Sequence, residues 1–88
     1  MARAKQSAAD ALRAISGRIA IVTAENGVNV RKGPGTIFES IGAVEWREPV
    51  AVLQLPYDAE VPGYALVHTG TLVGWVCDLF LQDVETGA

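Results

Sequence analysis

The chain has 88 residues, of which half are hydrophobic and 19% are charged, and its net charge is −3. That length gives room for one domain, the composition excludes general disorder, and the negative charge argues against a general nucleic-acid binder. The charge is uneven: residues 1–18 carry four basic residues and one acid, a net +3. Residues 19–88 carry three basic residues and nine acids, a net −6. The chain is therefore a basic head on an acidic body, and this asymmetry bears on its partners.

The first seventeen residues predict an N-terminal helix. The segment is rich in alanine, the best helix former, and Gly17 stands where a helix commonly ends. Five of its apolar residues fall on one helical stripe, which we interpret as a docking or oligomerisation face: Ala4, Ala8, Ala11, Leu12 and Ile15. An isolated helix of about 15 residues is marginal in water. The stripe must therefore pack on its own domain, on a second copy or on another protein.

From Arg18 onward the pattern changes to short strands separated by turn signals such as Asn26-Gly27. Strands are predicted at 19–23, 28–31, 40–44, 50–55, 64–68, 73–76 and 81–82, with a 3₁₀ turn at 78–80. This succession indicates a small all-β barrel or sandwich over residues 18–82, followed by a flexible tail at 83–88.

A nine-residue motif, Val28 to Thr36, reads VNVRKGPGT, and Gly74-Trp75-Val76 follows near the end of the body. This combination resembles the bacterial SH3 (SH3b, SH3_3-like) domain family, across roughly residues 19–82. The residues that carry the resemblance are Asn29, Val30, Arg31, Gly33, Pro34, Gly35, Gly74 and Trp75.

The resemblance implies a small SH3-like barrel of five to six short strands, here preceded by one α-helix. Elementary chemistry agrees with the motif. Arg31 ends a strand, so its guanidinium can satisfy loop carbonyls, and Gly74 allows a close approach of another strand. The tyrosine that the family usually has after Thr36 is replaced by Ile37-Phe38.

Four loop or strand-end aromatics are the predicted ligand or partner contacts, because aromatic residues are enriched at interface hot spots: Phe38, Trp46, Tyr57 and Tyr64. Packing at the edge of the barrel is the alternative interpretation of Trp46. Trp75 and Phe80 are assigned mainly to the core.

Chemistry-bearing residues are few. His68 is the one histidine and Cys77 the one cysteine, so no internal disulfide, metal site or catalytic triad can be assembled from them. We interpret His68 as a surface residue and Cys77 as a buried thiol. No cofactor, no metal and no enzymatic activity are predicted.

The N-terminal segment bears on the cellular location of the protein. Arg13 and Arg18 interrupt the most apolar part of this segment. We therefore expect no signal peptide. No stretch approaches the roughly 18 apolar residues of a membrane span. The expected location is the cytoplasm, or a particle assembled there such as a virion.

Two function classes remain open. The first is a docking or structural subunit of a larger assembly, such as a phage-like particle, that contacts a protein partner or its own copies through the N-terminal helix. The alternative, implied by the family, is a module that binds cell-wall peptide or glycan fragments, or an accessory domain of a separately encoded hydrolase. Because the body is acidic, we do not expect nucleic acid as a partner.

Overall fold

The computed structural model describes residues 18–84, and of Tyr57 it describes the backbone alone. The described chain is all-β. Its strands are β1 (Arg18–Val22), β2 (Val28–Arg31), β3 (Ser40–Val44), β4 (Pro49–Val52), β5 (Tyr64–His68), β6 (Val73–Cys77) and β7 (Leu81–Asp83). Two 3₁₀ helices, Tyr57–Ala59 and Asp78–Phe80, lie between strands. The predicted N-terminal helix, its docking face and most of the tail lie outside the described residues.

All seven strands form one antiparallel sheet in the order β3-β2-β6-β5-β4-β1-β7. The seven strands predicted from the residue pattern are therefore all present, whereas the five to six strands implied by the family resemblance are too few. The prediction of a closed barrel also needs correction, because the edge strands β3 and β7 are not hydrogen-bonded to each other. The predicted strand at 50–55 ends at Val52, since Leu53 adds a single backbone bond to Leu66 before the chain turns at Pro56.

The core lies on one face of this sheet. Nine buried side chains form one cluster that draws on six strands: Ala20, Val22, Val28, Val30, Val44, Val50, Val52, Val67 and Val76. A flat sheet would leave such a face open to solvent, and no α-helix in residues 18–84 covers it. The sheet must therefore curve around its own inner face, which excludes water from the valines.

Both edges of the sheet are blunted. In β3 the pairing slips between Val30 and Arg31 so that Ile41 is an extra residue, a bulge that twists the edge. The Ser40 hydroxyl also donates to the Gly42 carbonyl, at 3.2 Å. The other edge, β7, is only three residues long. Short or bulged edges resist pairing with other chains, so the sheet does not present a long open template.

A tight approach between β2 and β6 supports the curvature. A Cβ at Gly74 would collide with Cγ1 of Val30 and lie 2.8 Å from the carbonyl oxygen of Arg31. Glycine is therefore required at this position of the sheet, as the motif predicted. Within residues 18–84 no helix is long and apolar enough to cross a membrane.

Substitution Gly74→Ala should destabilise the fold by about 1–3 kcal/mol, the usual effect of overpacking a dense core. Gly35→Ala is the matched control within the same motif, because its Cβ would meet only ordinary contacts at 3.6 Å or more. Urea unfolding followed by Trp fluorescence measures both. Equal stability of the two variants would contradict the close approach of β2 and β6.

Candidate functional site

The motif loop between β2 and β3 is held by the side chain of Arg31. Its Nη1 donates to the carbonyl oxygen of Phe38 at 2.9 Å and lies 3.5 Å from that of Thr36. The prediction that Arg31 satisfies loop carbonyls is confirmed. A backbone bond from Lys32 N–H to Glu39 O (3.0 Å) closes the base of the loop. The loop is thus a stiff, internally bonded projection.

The glycines of this loop serve packing more than backbone freedom. Neither Gly33 nor Gly35 has a positive φ. A Cβ at Gly33 would lie 2.6 Å from the Phe38 ring, so the ring occupies the space that a side chain would take. Phe38 therefore lies against the loop itself and keeps part of its surface exposed. The neighbouring Ile37 is almost fully exposed at the tip.

Trp46 stands at the turn between β3 and β4, where 47% of it is exposed. The guanidinium carbon of Arg47 lies 4.5 Å from the centre of its ring, a cation–π contact that covers one face. A small depression of about 380 Å³ beside Trp46 is lined by Glu25, Asn26, Gly27 and Glu45. The ring is thus held in place and partly open to solvent.

Arg47 has an unusual backbone. Its φ is +70°, the one positive φ outside glycine in residues 18–84. Glu48 N–H donates to Glu45 O at 3.1 Å, which places Arg47 third in a four-residue turn where glycine or asparagine is normally favoured. Such a conformation costs a non-glycine residue about 1–2 kcal/mol. Strain of this kind tends to persist at functional positions.

Two further exposed apolar residues lie at the same end of the sheet. Arg47 N–H donates to Val22 O (2.8 Å), and Thr23 N–H donates to Phe80 O (2.8 Å). The two segments therefore flank the end of β1 on opposite sides, about two strand spacings or 10 Å apart. Phe80 is 41% exposed and Leu79 is 80% exposed. We call Trp46, Arg47, Leu79 and Phe80 the Trp46 surface.

A wide groove of about 1410 Å³ lies at the other end of β1 and β4. We call it the acidic groove, because four carboxylates line it: Asp58, Glu60, Asp78 and Asp83. Arg18 is the one basic residue of the lining, and its guanidinium contacts both carboxylate oxygens of Asp83 at 2.9 and 3.0 Å. Apolar side chains complete the walls: Val52, Leu53, Leu55, Val61, Tyr64, Leu66 and Leu81. Across residues 18–84, no three His, Cys, Asp or Glu residues are grouped as metal ligands.

The predicted contact residues occupy different parts of the molecule. Phe38 and Trp46 lie beyond opposite ends of β3, and Tyr64 lines the acidic groove while Trp46 lines the smaller depression. These three do not share one depression, and the side chain of Tyr57 lies outside what the structure describes. They were predicted together because each is an aromatic residue near a strand end. That local pattern does not indicate where the residues lie relative to one another in the fold.

Some burial predictions require correction. The prediction that Phe80 belongs to the core is wrong. Phe80 is exposed, and it ends a 3₁₀ helix in which no residue is buried. Trp75 is half-buried, because it faces outward from β6 while its neighbours Gly74 and Val76 face the core. Cys77 is likewise half-buried and free. His68 is half-buried, and its Nδ1 accepts a hydrogen bond from Gly70 N–H at 2.9 Å.

The motif residues fall on both faces of the sheet: Val30 and Gly74 are buried, and Asn29 is exposed.

Comparison with known proteins adds no relative: no protein-family model matches the chain, and no curated protein is significantly similar to it.

Arg31→Gln should lower the stability by about 1–2 kcal/mol, since it removes the charged donor that bonds the Phe38 carbonyl oxygen and holds the loop. Lys32→Gln is the control, because the Lys32–Glu39 ion pair (3.2 Å) is largely exposed and should contribute under about 0.5 kcal/mol. Chemical denaturation gives both values. An Arg31 variant as stable as the Lys32 variant would show that the loop does not depend on the guanidinium.

Arg47→Gly and Arg47→Ala test the strain at the Trp46 turn. Both variants lose the contact with the Trp46 ring, but only glycine adopts a φ of +70° freely. We expect the glycine variant to be more stable by about 1 kcal/mol, the reverse of the usual order. The same unfolding measurement decides, and an alanine variant at least as stable as the glycine variant contradicts a strained turn.

Proposed function

We propose that this chain is a non-catalytic docking or structural subunit of a larger protein assembly, such as a phage-like particle, built on a bacterial SH3-like sheet. It contacts its neighbours through the Trp46 surface and through its basic N-terminal helix. The observation that carries the proposal is the Trp46 surface, where three large apolar residues stand exposed beside an arginine held in a strained turn.

The composition of this surface resembles the centre of a protein interface. Tryptophan and arginine are the residues most enriched at binding hot spots, and a stacked pair loses little side-chain freedom on binding. The turn is bonded to β1 through Arg47 and Glu48, so its position is fixed by the sheet. A partner would therefore meet a preformed contact.

The SH3-like interpretation rests on the motif and on its local chemistry. Arg31 bonds the loop carbonyls, and Gly74 sits at a close approach of β2 and β6. Seven antiparallel strands that curve around one core are compatible with a small barrel whose edges do not close. Charge supports the docking role, because the head of the chain is basic (+3) and the body acidic (−6). Successive copies therefore carry complementary surfaces.

The docking role is tested in the cells that make the protein. Full-length tagged chain should elute from size exclusion in a species several times larger than its 9.3 kDa. Trp46→Ala should shift it toward the monomer, because truncating an interface tryptophan often costs 2 kcal/mol or more, roughly thirtyfold in affinity. Val73→Ala, which removes a residue of matching exposure (48%) from β6, should leave the large species unchanged. Elution of the unmodified chain as a monomer contradicts the docking role.

The acidic groove favours a second candidate, a module that binds cell-wall peptides. Stem peptides that carry free amino groups would find in it carboxylates for the amine and apolar walls, including Tyr64, for the side chains. Neutralising groove carboxylates should then weaken binding, and added salt should weaken it further.

An NMR titration with an amine-bearing muropeptide tests this candidate. Binding should shift the amides of Leu66 and Leu81, and Glu60→Gln should reduce the affinity while Glu39→Gln, outside the groove, should not. The absence of shifts at the groove at millimolar peptide would eliminate wall recognition through this site.

A further inference from the structure

Two residues are fully buried on the face of the sheet that points away from the core. Ile19 in β1 and Ala51 in β4 are directly opposite each other, and both have 0% exposure. They form their own cluster, separate from the valine core. Along β1, Ala20 and Val22 belong to the core, so the alternation of a strand puts Ile19 on the other face.

The apolar pair continues along the two strands as a strip. Ile21 and Pro49 are opposite each other at the next outward-facing positions of β1 and β4, and both are half-buried. We call Ile19, Ile21, Pro49 and Ala51 the outer strip. The face of a two-layered β domain that meets water normally carries polar side chains. Four apolar residues there, two of them inaccessible, indicate that a further layer belongs on this face.

We propose that the outer strip is the docking surface for the chain's own residues 2–16, which lie across it as a helix. The inference does not depend on the docking role proposed above. The segment joins β1 directly through Gly17, so its local concentration at the strip far exceeds that of any free partner. A helix of fifteen residues is about 22 Å long. That suffices to run back along the five residues of β1, which span about 17 Å.

The order of residues in the segment matches the strip. Leu12 and Ile15, its largest apolar stripe residues, are nearest in sequence to Arg18, the end of β1 where the fully buried pair lies. Alanines follow toward the N-terminus (Ala11, Ala8 and Ala4), and their small side chains permit a close approach between helix and sheet.

The opposite side of the helix is basic. At 100° per residue, Arg3 and Arg13 lie well over 90° from the centre of the stripe, so docking through the stripe leaves them in solvent. The docked helix therefore adds a cationic surface to an acidic body. In the proposed assembly, this surface rather than the apolar stripe contacts the neighbouring molecule.

Paramagnetic relaxation in the full chain tests the docking. A nitroxide is attached to Gln6→Cys, which lies on the solvent side of the helix, in a Cys77→Ser background. We expect selective broadening of the amides of β1 and β4 but not of the loop at 32–39. Adding Leu12→Glu and Ile15→Glu should abolish the selective broadening and lower the helical circular dichroism. Adding Arg13→Glu, the control on the basic side, should preserve both.

A mixture of ¹⁵N-labelled chain without nitroxide and unlabelled chain with nitroxide separates the possible occupants. Docking within one chain predicts no broadening of the strip amides in this mixture. Broadening there would show that a second copy supplies the helix and would overturn the proposal. Weak, uniform broadening in the first sample, in which the observed chain itself carries the nitroxide, would overturn the proposal as well. The strip would then have another occupant.

Discussion

The structure depends on one constraint: a single antiparallel sheet has to bury its own inner face. The nine-residue core consists of eight valines and Ala20, and each of the strands β1 to β6 contributes to it. Short β-branched side chains let the two halves of the curved sheet approach closely, and the glycine at position 74 removes the remaining obstacle between β2 and β6. Without that curvature the valines would face water and the domain would lose its main source of stability.

Curvature also decides where function can be located. The interior is filled by side chains, so the available sites are strand ends, turns and the outer face. The turn at Trp46, the acidic groove and the outer strip occupy different parts of this surface. They differ in chemistry: an aromatic with a stacked cation, a carboxylate-lined channel and an apolar band. The proposed docking of the N-terminal segment and the proposed contact with a neighbour therefore use different residues.

Much of the fold could be predicted from the sequence. The strands Val28–Arg31, Ser40–Val44 and Tyr64–His68 and the 3₁₀ turn at Asp78–Phe80 were predicted with their correct limits, because alternation and turn residues are local signals. The roles of Arg31 and Gly74 also followed from local chemistry. Closure of the sheet did not, since pairing of β3 with β7 is a global property that no short pattern encodes. The candidate site could be predicted less well than the fold. Nothing in the sequence Glu-Trp-Arg-Glu indicates the positive φ of Arg47, and the apolar side chain of Phe80 wrongly predicted a core position. Phe80 lies in a three-residue 3₁₀ helix that has no buried residue.

We propose that the chain contacts its neighbour through the Trp46 surface. Hydrogen–deuterium exchange of the full chain, free and within the assembly purified from its own cells, tests it most directly. We expect assembly to slow exchange at residues 45–48 and 78–80, while the loop at 32–39 exchanges equally in both states. Unchanged exchange at residues 45–48, with protection confined to other segments, would contradict it.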